Sequence, residues 1–447
     1  MTMAADKQDK VLNFSSEREQ SGACSSSAER EKNQGKNFLN VPNKREQSQT
    51  CLNSAERVGL RPKGNVPTLR FPEFSGEWHA TTIDGVTSEF QSGKFIKAEL
   101  IQSKGSVPVY GGNGLRGFTD KYNHIGDYVL IGRQGALCGN VRFVTGETYI
   151  TEHAIAVKST EDNDTKYLQY LFERMNLGQY SDQSAQPGLA VSKLIKLKIT
   201  IPPKREQSKI ARLLTVIDER ITTQIRIIDK LKSLMQALNN ELMDNPKWEK
   251  VYVGDFMEFF PTNSLSWEQL NYDNGQVRNL HYGLIHSGLP TLVDSQKAHL
   301  PYIQVDSLPK QYSICKDGDV ALADASEDTA EVGKTVELTN IETQTIVCGL
   351  HTIHGRDCKD ITVNGFKGFA FNSKYFHDQL RRIAQGSKVY SINTDNVRSC
   401  YLYIPTIAEQ QKIVGLLRCM QEKIKVAEHG LQLYEAQKQF LLRGLFV

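Results

Sequence analysis

The sequence predicts an α+β chain. Two globular lobes are separated by two long, antiparallel, coiled-coil-like helices, and the halves are related by a pseudo-two-fold internal repeat. Three observations carry this expectation: a series of paired anchors in the same order, two apolar stripes at helical spacing, and short strand-like runs between them.

The anchors come first. Trp78 precedes the strand-like Thr81-Thr82-Ile83, and Trp248 precedes Val251-Tyr252-Val253, at an offset of 170. Gly126-Asp127 and Gly318-Asp319 each lead an apolar run, at an offset of 192. His153 matches His351 at 198, Ser192 matches Ser391 at 199, and Ile201-Pro202 with Glu206-Gln207 match Ile404-Pro405 with Glu409-Gln410 at 203. The offsets only rise, as two copies require when the second carries longer loops.

Each Ile-Pro leads into a stripe. In the first, Ile210, Leu214, Ile217, Ile221, Ile225, Ile228, Leu231, Met235, Leu238 and Leu242 recur at steps of three or four. In the second, Ile413, Leu417, Met420, Ile424, Ala427, Leu431, Tyr434, Lys438, Leu441 and Leu445 do the same, and Lys438 alone breaks the apolar register. This is the spacing of a coiled-coil seam. Prolines ahead of each helix sit where a missing N–H is tolerated, and Asn245-Pro246 ends the first. The first stripe, 206–242, would span roughly 55 Å at 1.5 Å per residue. Two equal stripes separated by a whole lobe pair antiparallel and carry the lobes at opposite ends. The packing residues expected are Ile210, Leu214, Ile217, Ile221, Ile228, Leu231, Leu238, Ile413, Leu417, Ile424, Leu431 and Leu441. In the alternative, each helix packs only on its own lobe.

Between the stripes, Tyr128–Ile131, Val141–Val144 and Ala154–Val157 read as strands and Tyr167–Met175 as a helix. The organisation expected is a disordered polar leader over 1–64, a first lobe over 65–203 and a helix over 204–245. A second lobe over 246–405 and a second helix over 406–447 follow. The leader is rich in Ser, Glu, Lys, Gln and Asn and has too little apolar surface to order itself.

Composition sets limits. The net charge is +3 over 447 residues, spread without a basic stripe, so composition does not announce a nucleic-acid binder. Eight cysteines without a CxxC pair argue against a disulfide framework or a zinc ribbon. A reducing, cytoplasmic setting is expected, with no membrane span.

Catalytic motifs fail on inspection. Gly333-Lys334-Thr335 approaches a phosphate loop, but its first glycine position is Asp328. Cys348, His351, His354 and Cys358 are the best metal candidates. On a continuous strand, however, Cys348 and His354 would lie about 20 Å apart, so no metal site is expected. No catalytic residue can be assigned.

The motifs resemble the DNA-specificity subunit of type I restriction–modification systems. Val66 to Trp78, reading VPTLRFPEFSGEW, is similar to the entry of such a subunit's first target-recognition domain. Ile201 to Ala211 with Ile217-Asp218 is similar to the family's central conserved helix, and Ile404 to Ile413 to its second copy. Tyr110–Gly117, Ile131–Gly135, Asn279–Gly283 and Asp319–Lys334 resemble recognition-domain segments. The resemblance implies a non-catalytic, bacterial or archaeal protein that reads a bipartite, interrupted site on double-stranded DNA. It also implies two modification subunits carrying S-adenosylmethionine and ATP- and Mg2+-dependent restriction subunits, with no cofactor in this chain. Base-reading candidates are Asn113, Arg116, Arg133 and Gln134 in the first lobe, and His281, Tyr282, His286, Lys334 and Lys388 in the second. Arg suits guanine, and Asn or Gln suits adenine. The alternatives are a non-catalytic coiled-coil adaptor for protein or glycan partners and a fused nuclease or methyltransferase, which would need a catalytic domain.

Overall fold

The computed structural model describes residues 64–135, 137–181, 188–329 and 331–447. The expected leader, apart from Gly64, lies outside the described residues. Among the described residues no helix is long and apolar enough to cross a membrane.

Two helices dominate, Lys204–Met243 and Ile407–Gly444. At 1.5 Å per residue the 40-residue first helix is about 60 Å long. They run antiparallel. Gln224 donates from Nε2 to the Ala427 carbonyl at 2.8 Å, and Lys232 pairs with Glu428 at 2.7 Å. Ile217, Ile228, Met420 and Ile424 are buried along the seam. Ile221, Leu231, Leu238, Leu431 and Leu441 are only half-buried, and Ile225 is exposed. The stripe therefore gives the seam with one position turned outward.

The ends of the rod are also parts of the lobes. Ile210 and Leu214 from the start of the first helix join Leu442, Leu445 and Phe446 from the end of the second in the first lobe's core. Phe446 stacks on Tyr167 with ring centroids 5.2 Å apart. At the other end, Met243 joins Ile413, Val414 and Leu417 in the second lobe's core. The two packings weighed from the sequence thus coexist: the helices pair with each other, and their ends complete the lobes.

The shared Glu-Gln pair explains why both helices start where they do. Gln207 is buried. Its Nε2 donates to the Pro202 carbonyl at 2.9 Å and to Asn163 Oδ1 at 2.8 Å, while its Oε1 accepts from Asp164 N at 3.0 Å. Gln410 repeats this with the Pro405 and Ile361 carbonyls and Val363 N, at 3.0, 2.9 and 2.8 Å. Each glutamine closes backbone groups that a helix start or a loop would otherwise leave unpaired. The neighbouring glutamates differ. Glu206 accepts two 2.8 Å bonds from Arg70, tying the Val66–Trp78 segment to the helix. Glu409 instead forms a capping box with Thr406.

Each lobe contains two main sheets. In the first lobe, one sheet orders the strands Thr87–Ser92, Ala154–Ser159, Tyr128–Gly132 and Val141–Val144. In the second, Met257–Phe260, Thr352–Asp357, Val320–Ala323 and Thr335–Thr339 follow in the same order, with Leu292–Asp294 added at the edge. A parallel pair marks the other sheet of each lobe. Val107–Gly111 runs beside Glu147–Ile150, and Val277–Leu280 beside Thr345–Cys348. Tyr128–Gly132 and Val320–Ala323 are buried throughout, which is why they read as unbroken apolar runs.

The predicted helix at Tyr167 begins at Thr165, where the Asp164 side chain caps Tyr167 N at 3.0 Å, and it ends at Met175. The strand-like runs after the two tryptophans end early. The strands are His79–Thr82 and Glu249–Tyr252, and Ile83 and Val253 already open short helices.

Candidate nucleic-acid interface

Backbone hydrogen bonds bring three loops together at one end of each lobe. In the first lobe, Arg133 N donates to the His153 carbonyl at 2.9 Å, and Leu189 N donates to the Arg133 carbonyl at 2.9 Å. In the second, Asp324 N donates to the His351 carbonyl at 3.1 Å, and Ile392 N donates to the Asp324 carbonyl at 2.9 Å. The two junctions are copies, with Arg133 and Asp324 at the same place.

In the first lobe the hairpin between Val107–Gly111 and Gly114–Thr119 packs onto this junction. A Cβ on Gly112 would lie 2.7 Å from the His153 carbonyl oxygen and 3.6 Å from Arg133 N, so only glycine lets the hairpin tip approach. Asn113 at the tip is exposed, and so is Arg116, whose stem lies across Gly111. Gln134 is exposed and meets His153 Nδ1 at 3.3 Å, whereas Arg133 is half-buried. The structure thus brings Asn113, Arg116, Arg133 and Gln134 to one rim. Arg142, missed in the sequence, belongs there too. It is exposed on the strand Val141–Val144, and its guanidinium covers Gly114. Nothing in a strand-like run marks that arginine; only the fold puts it beside the hairpin.

The second rim has other chemistry. Asp324 accepts from His351 at 3.0 Å, and burial pushes its carboxyl above the ordinary value, with His351 offsetting part of that rise. Tyr282 stands edge-on to His351 at 5.2 Å and to His286 at 5.9 Å. His286 Nε2 contacts the Ala325 carbonyl at 3.1 Å, and Nδ1 lies 3.6 Å from Glu331. Lys334 is half-buried and bonds Glu331 at 2.8 Å. Lys388 is exposed on the loop before Tyr390–Ser391, a strand that pairs with Ala325–Ser326. Tyr282, His286, Lys334 and Lys388 are therefore neighbours of one junction.

His281 is different. The residue is 1% exposed, its ring lies tilted against Trp267 with centroids 4.4 Å apart, and it accepts from Gly283 N at 3.1 Å to cap the helix Tyr282–His286. Burial, helped by the positive field of His351, pushes its imidazole down to about 4. Expected to touch a base, His281 is enclosed here and used as a cap. It positions Tyr282 instead.

The sequence also missed Arg381 and Arg382. Both are exposed at the end of the helix Lys374–Ile383 and share a cleft of about 400 Å³ with Thr329 and Asp378. Adjacent arginines in the last turn of a helix were the available signal.

The expected 20 Å gap between Cys348 and His354 is also corrected. The strand ends at Cys348 and a new one starts at Thr352. Between them the chain turns through His351 at φ 54°, a left-handed residue. Cys348 and His354 come together, while Cys358 is exposed.

Comparison with known proteins agrees with this architecture. Residues 76–233 match the type I restriction modification DNA specificity domain. The chain is 39% identical to the type I restriction enzyme EcoprrI specificity subunit of Escherichia coli over 169 residues, which is 37% of this chain and 42% of that subunit. It is 22% identical to a putative type I restriction enzyme specificity subunit of Haemophilus influenzae over 367 residues, 77% of this chain and 88% of that one. The fold matches the crystal structure of an S subunit from M. genitalium with a TM-score of 0.57 at 16% identity, covering 86% of this chain and 99% of that chain. A second fold match, at TM-score 0.51 and 14% identity, covers 83% of this chain and 97% of a chain from the assembled type I system. The chain is thus similar to type I specificity subunits: residues 76–233 match the specificity-domain family, and the duplicated lobes and paired helices share the fold of a solved S subunit.

Proposed function

We propose that this chain gives a type I restriction–modification complex its sequence specificity by reading a bipartite, interrupted site on double-stranded DNA. The segments 65–203 and 246–405 act as target-recognition domains, one per half-site, and the helices of 204–245 and 406–447 set the distance between them. The observation that carries this reading is the repeated junction with unlike side chains. At one backbone position the first lobe presents Arg133 and the second Asp324. A guanidinium suits guanine O6 and N7, and a carboxylate suits the cytosine amino group, so two copies of one scaffold would read different bases.

In the first half-site Asn113, Arg116, Arg133, Gln134 and Arg142 make the contacts. In the second, Tyr282, His286, Asp324, Lys334, Lys388 and the Arg381-Arg382 pair do so. Phosphate contacts position each lobe, and contacts to base edges select the sequence. The chain itself does no chemistry. Two modification subunits bring S-adenosylmethionine and methylate adenine, and restriction subunits bring ATP and Mg2+. The rod offers these partners an apolar surface, since Ile225, Ile227, Leu234, Val426, Leu433 and Phe440 are exposed. Exposed apolar surface of this kind favours protein contacts.

The test is to co-express the chain with its modification subunit and map methylated adenines across a genome by single-molecule sequencing. An interrupted two-part motif that vanishes without this chain is expected. Arg133→Ala should relax the first half of that motif and leave the second intact. A folded, associated complex that methylates no such motif would overturn the reading and favour a protein-binding scaffold.

A further inference from the structure

A buried cluster in the second lobe belongs to neither the rim nor the rod. Cys315 and Cys348 hold their sulfurs 3.6 Å apart, and the ligand atoms of Cys315, Cys348 and His354 all lie within 4.8 Å of one another. The three residues are 0–2% exposed. We propose that Cys315, Cys348 and His354 bind a thiophilic divalent metal ion, zinc in the first instance, which staples the two sheets of the second lobe.

Four features point to a metal rather than to packed thiols. The first is spacing. Two thiolates on a tetrahedral zinc with Zn–S bonds of ~2.3 Å sit ~3.8 Å apart, close to the separation found. The second is the histidine. His354 Nε2 meets Asp319 Oδ2 at 2.7 Å, while Nδ1 is buried without a hydrogen-bond partner. A metal-bound imidazole usually gives its other nitrogen to a carboxylate, and here Asp319 is locked in turn by Arg356 through bonds of 2.7 and 2.6 Å.

The third feature is charge. Two thiolates, a neutral imidazole and a divalent cation sum to zero, and Asp319 with Arg356 also sum to zero. The loaded site could therefore be buried without a net charge. The fourth is position. Cys348 ends a strand of the four-stranded sheet, His354 lies in the five-stranded sheet, and Cys315 N bonds the Ile346 carbonyl at 2.8 Å. The ion would hold Cys315 to two consecutive strands that lie in different sheets. A cleft of about 250 Å³ lies beside Cys348, lined also by Asn263, Leu265, Tyr312 and Val347.

The site is specific to one lobe. At the offset of 198 that relates His153 to His351, Cys348 corresponds to Ile150 and His354 to Ala156, which cannot bind a metal.

The full-length chain, purified under reducing conditions without chelator, should carry about one equivalent of zinc by mass spectrometry of the metal. After metal removal, cobalt(II) should restore a thiolate-to-metal charge-transfer band and tetrahedral d–d bands, and zinc should displace both. Cys315→Ser and Cys348→Ser should each abolish the charge-transfer band or weaken cobalt binding at least tenfold. Cys358→Ser and Cys419→Ser, both at exposed positions, should leave it unchanged. Alkylation of the unmutated protein needs no folded variant: Cys315 and Cys348 should resist the reagent until a chelator is added. A Cys315–Cys348 disulfide under these conditions, or two free thiols that take up neither zinc nor cobalt, would overturn the proposal.

Discussion

Lys438 separates the periodic pattern from the structure. By the heptad rule it is a defect, and Lys438→Leu should complete the apolar seam and stabilise the rod. The structure gives the opposite sign. Lys438 Nζ lies 2.9 Å from Glu173 and 2.8 Å from Asp218, so one ammonium joins both rod helices to the helix Thr165–Met175. The three side chains are 18%, 21% and 29% exposed, between a surface pair and a buried one. Burial lowers the ammonium's pKa, but the two carboxylates more than offset this and hold it above the ordinary lysine value. Tyr170 donates to the other oxygen of Asp218 at 2.8 Å, so that carboxylate cannot turn away freely. Exposed ion pairs contribute up to about 1 kcal/mol, and breaking buried ones costs about 3–5 kcal/mol. Removing the shared cation also leaves two carboxylates facing each other. Lys438→Leu should therefore cost about 2 kcal/mol, roughly a 30-fold loss in the local folding equilibrium. The assay is hydrogen exchange across 165–175 and 214–222, read against denaturant unfolding and combined in a double-mutant cycle with Asp218→Asn. Asp218→Asn should recover part of the loss. A Lys438→Leu protein as well protected as the parent, or strict additivity in the cycle, would refute the reasoning.

Two further outcomes follow from the rim and the rod. His281 has a folded-state value of about 4 against an ordinary 6.5, so between these values the unfolded chain binds more protons. The second lobe should lose up to about 3 kcal/mol as pH falls through that window and gain nothing further above it. His281→Asn, which keeps a capping side chain but does not titrate there, should flatten the profile; an unchanged slope would assign the effect elsewhere. For the rod, one heptad inserted into both helices at the level of Gln224 and Ala427 adds about 10.5 Å, or about three base pairs. The gap in the methylated motif should widen by that amount with both halves intact. Because three base pairs also turn the duplex by about 100°, methylation should be weaker. An insertion in one helix alone should break the pairing and abolish the motif, and equal success for the single insertion would contradict the paired rod.

Much of the frame was legible because its causes are local. The stripes, the proline entries and the Asn245-Pro246 stop are periodicity and backbone chemistry, and the antiparallel pairing follows from two equal stripes with a lobe between them. Other features arise only from chain reversal. Cys348 and His354 looked too distant because a strand was extended through His351, and a single left-handed residue brings them together. Cys315 joins them from far outside any motif window. Anchors at an offset of 192 set Arg133 opposite Ala325, whereas the backbone hydrogen bonds set it opposite Asp324. That one-residue shift hid the contrast of charge between the two rims. His281 reads as an aromatic donor in a glycine-containing loop, but the glycine two residues on offers its N–H to be capped.

What the two halves share and what they do not fall in different places. Gln207 and Gln410 make the same bonds to their proline carbonyls and lobe loops, and both sit at the roots of the helices. Arg133 and Asp324 occupy the same backbone junction with opposite charges, and both sit at the rims. A substitution at a rim changes side chains whose backbone is already held by bonds to His153 or His351, so it need not disturb the helix root. A substitution at a root changes how a lobe is seated on the rod and leaves its rim chemistry intact. On the proposed function, sequence preference and half-site spacing should therefore respond to different residues, because the bonds that fix one do not pass through the side chains that would set the other.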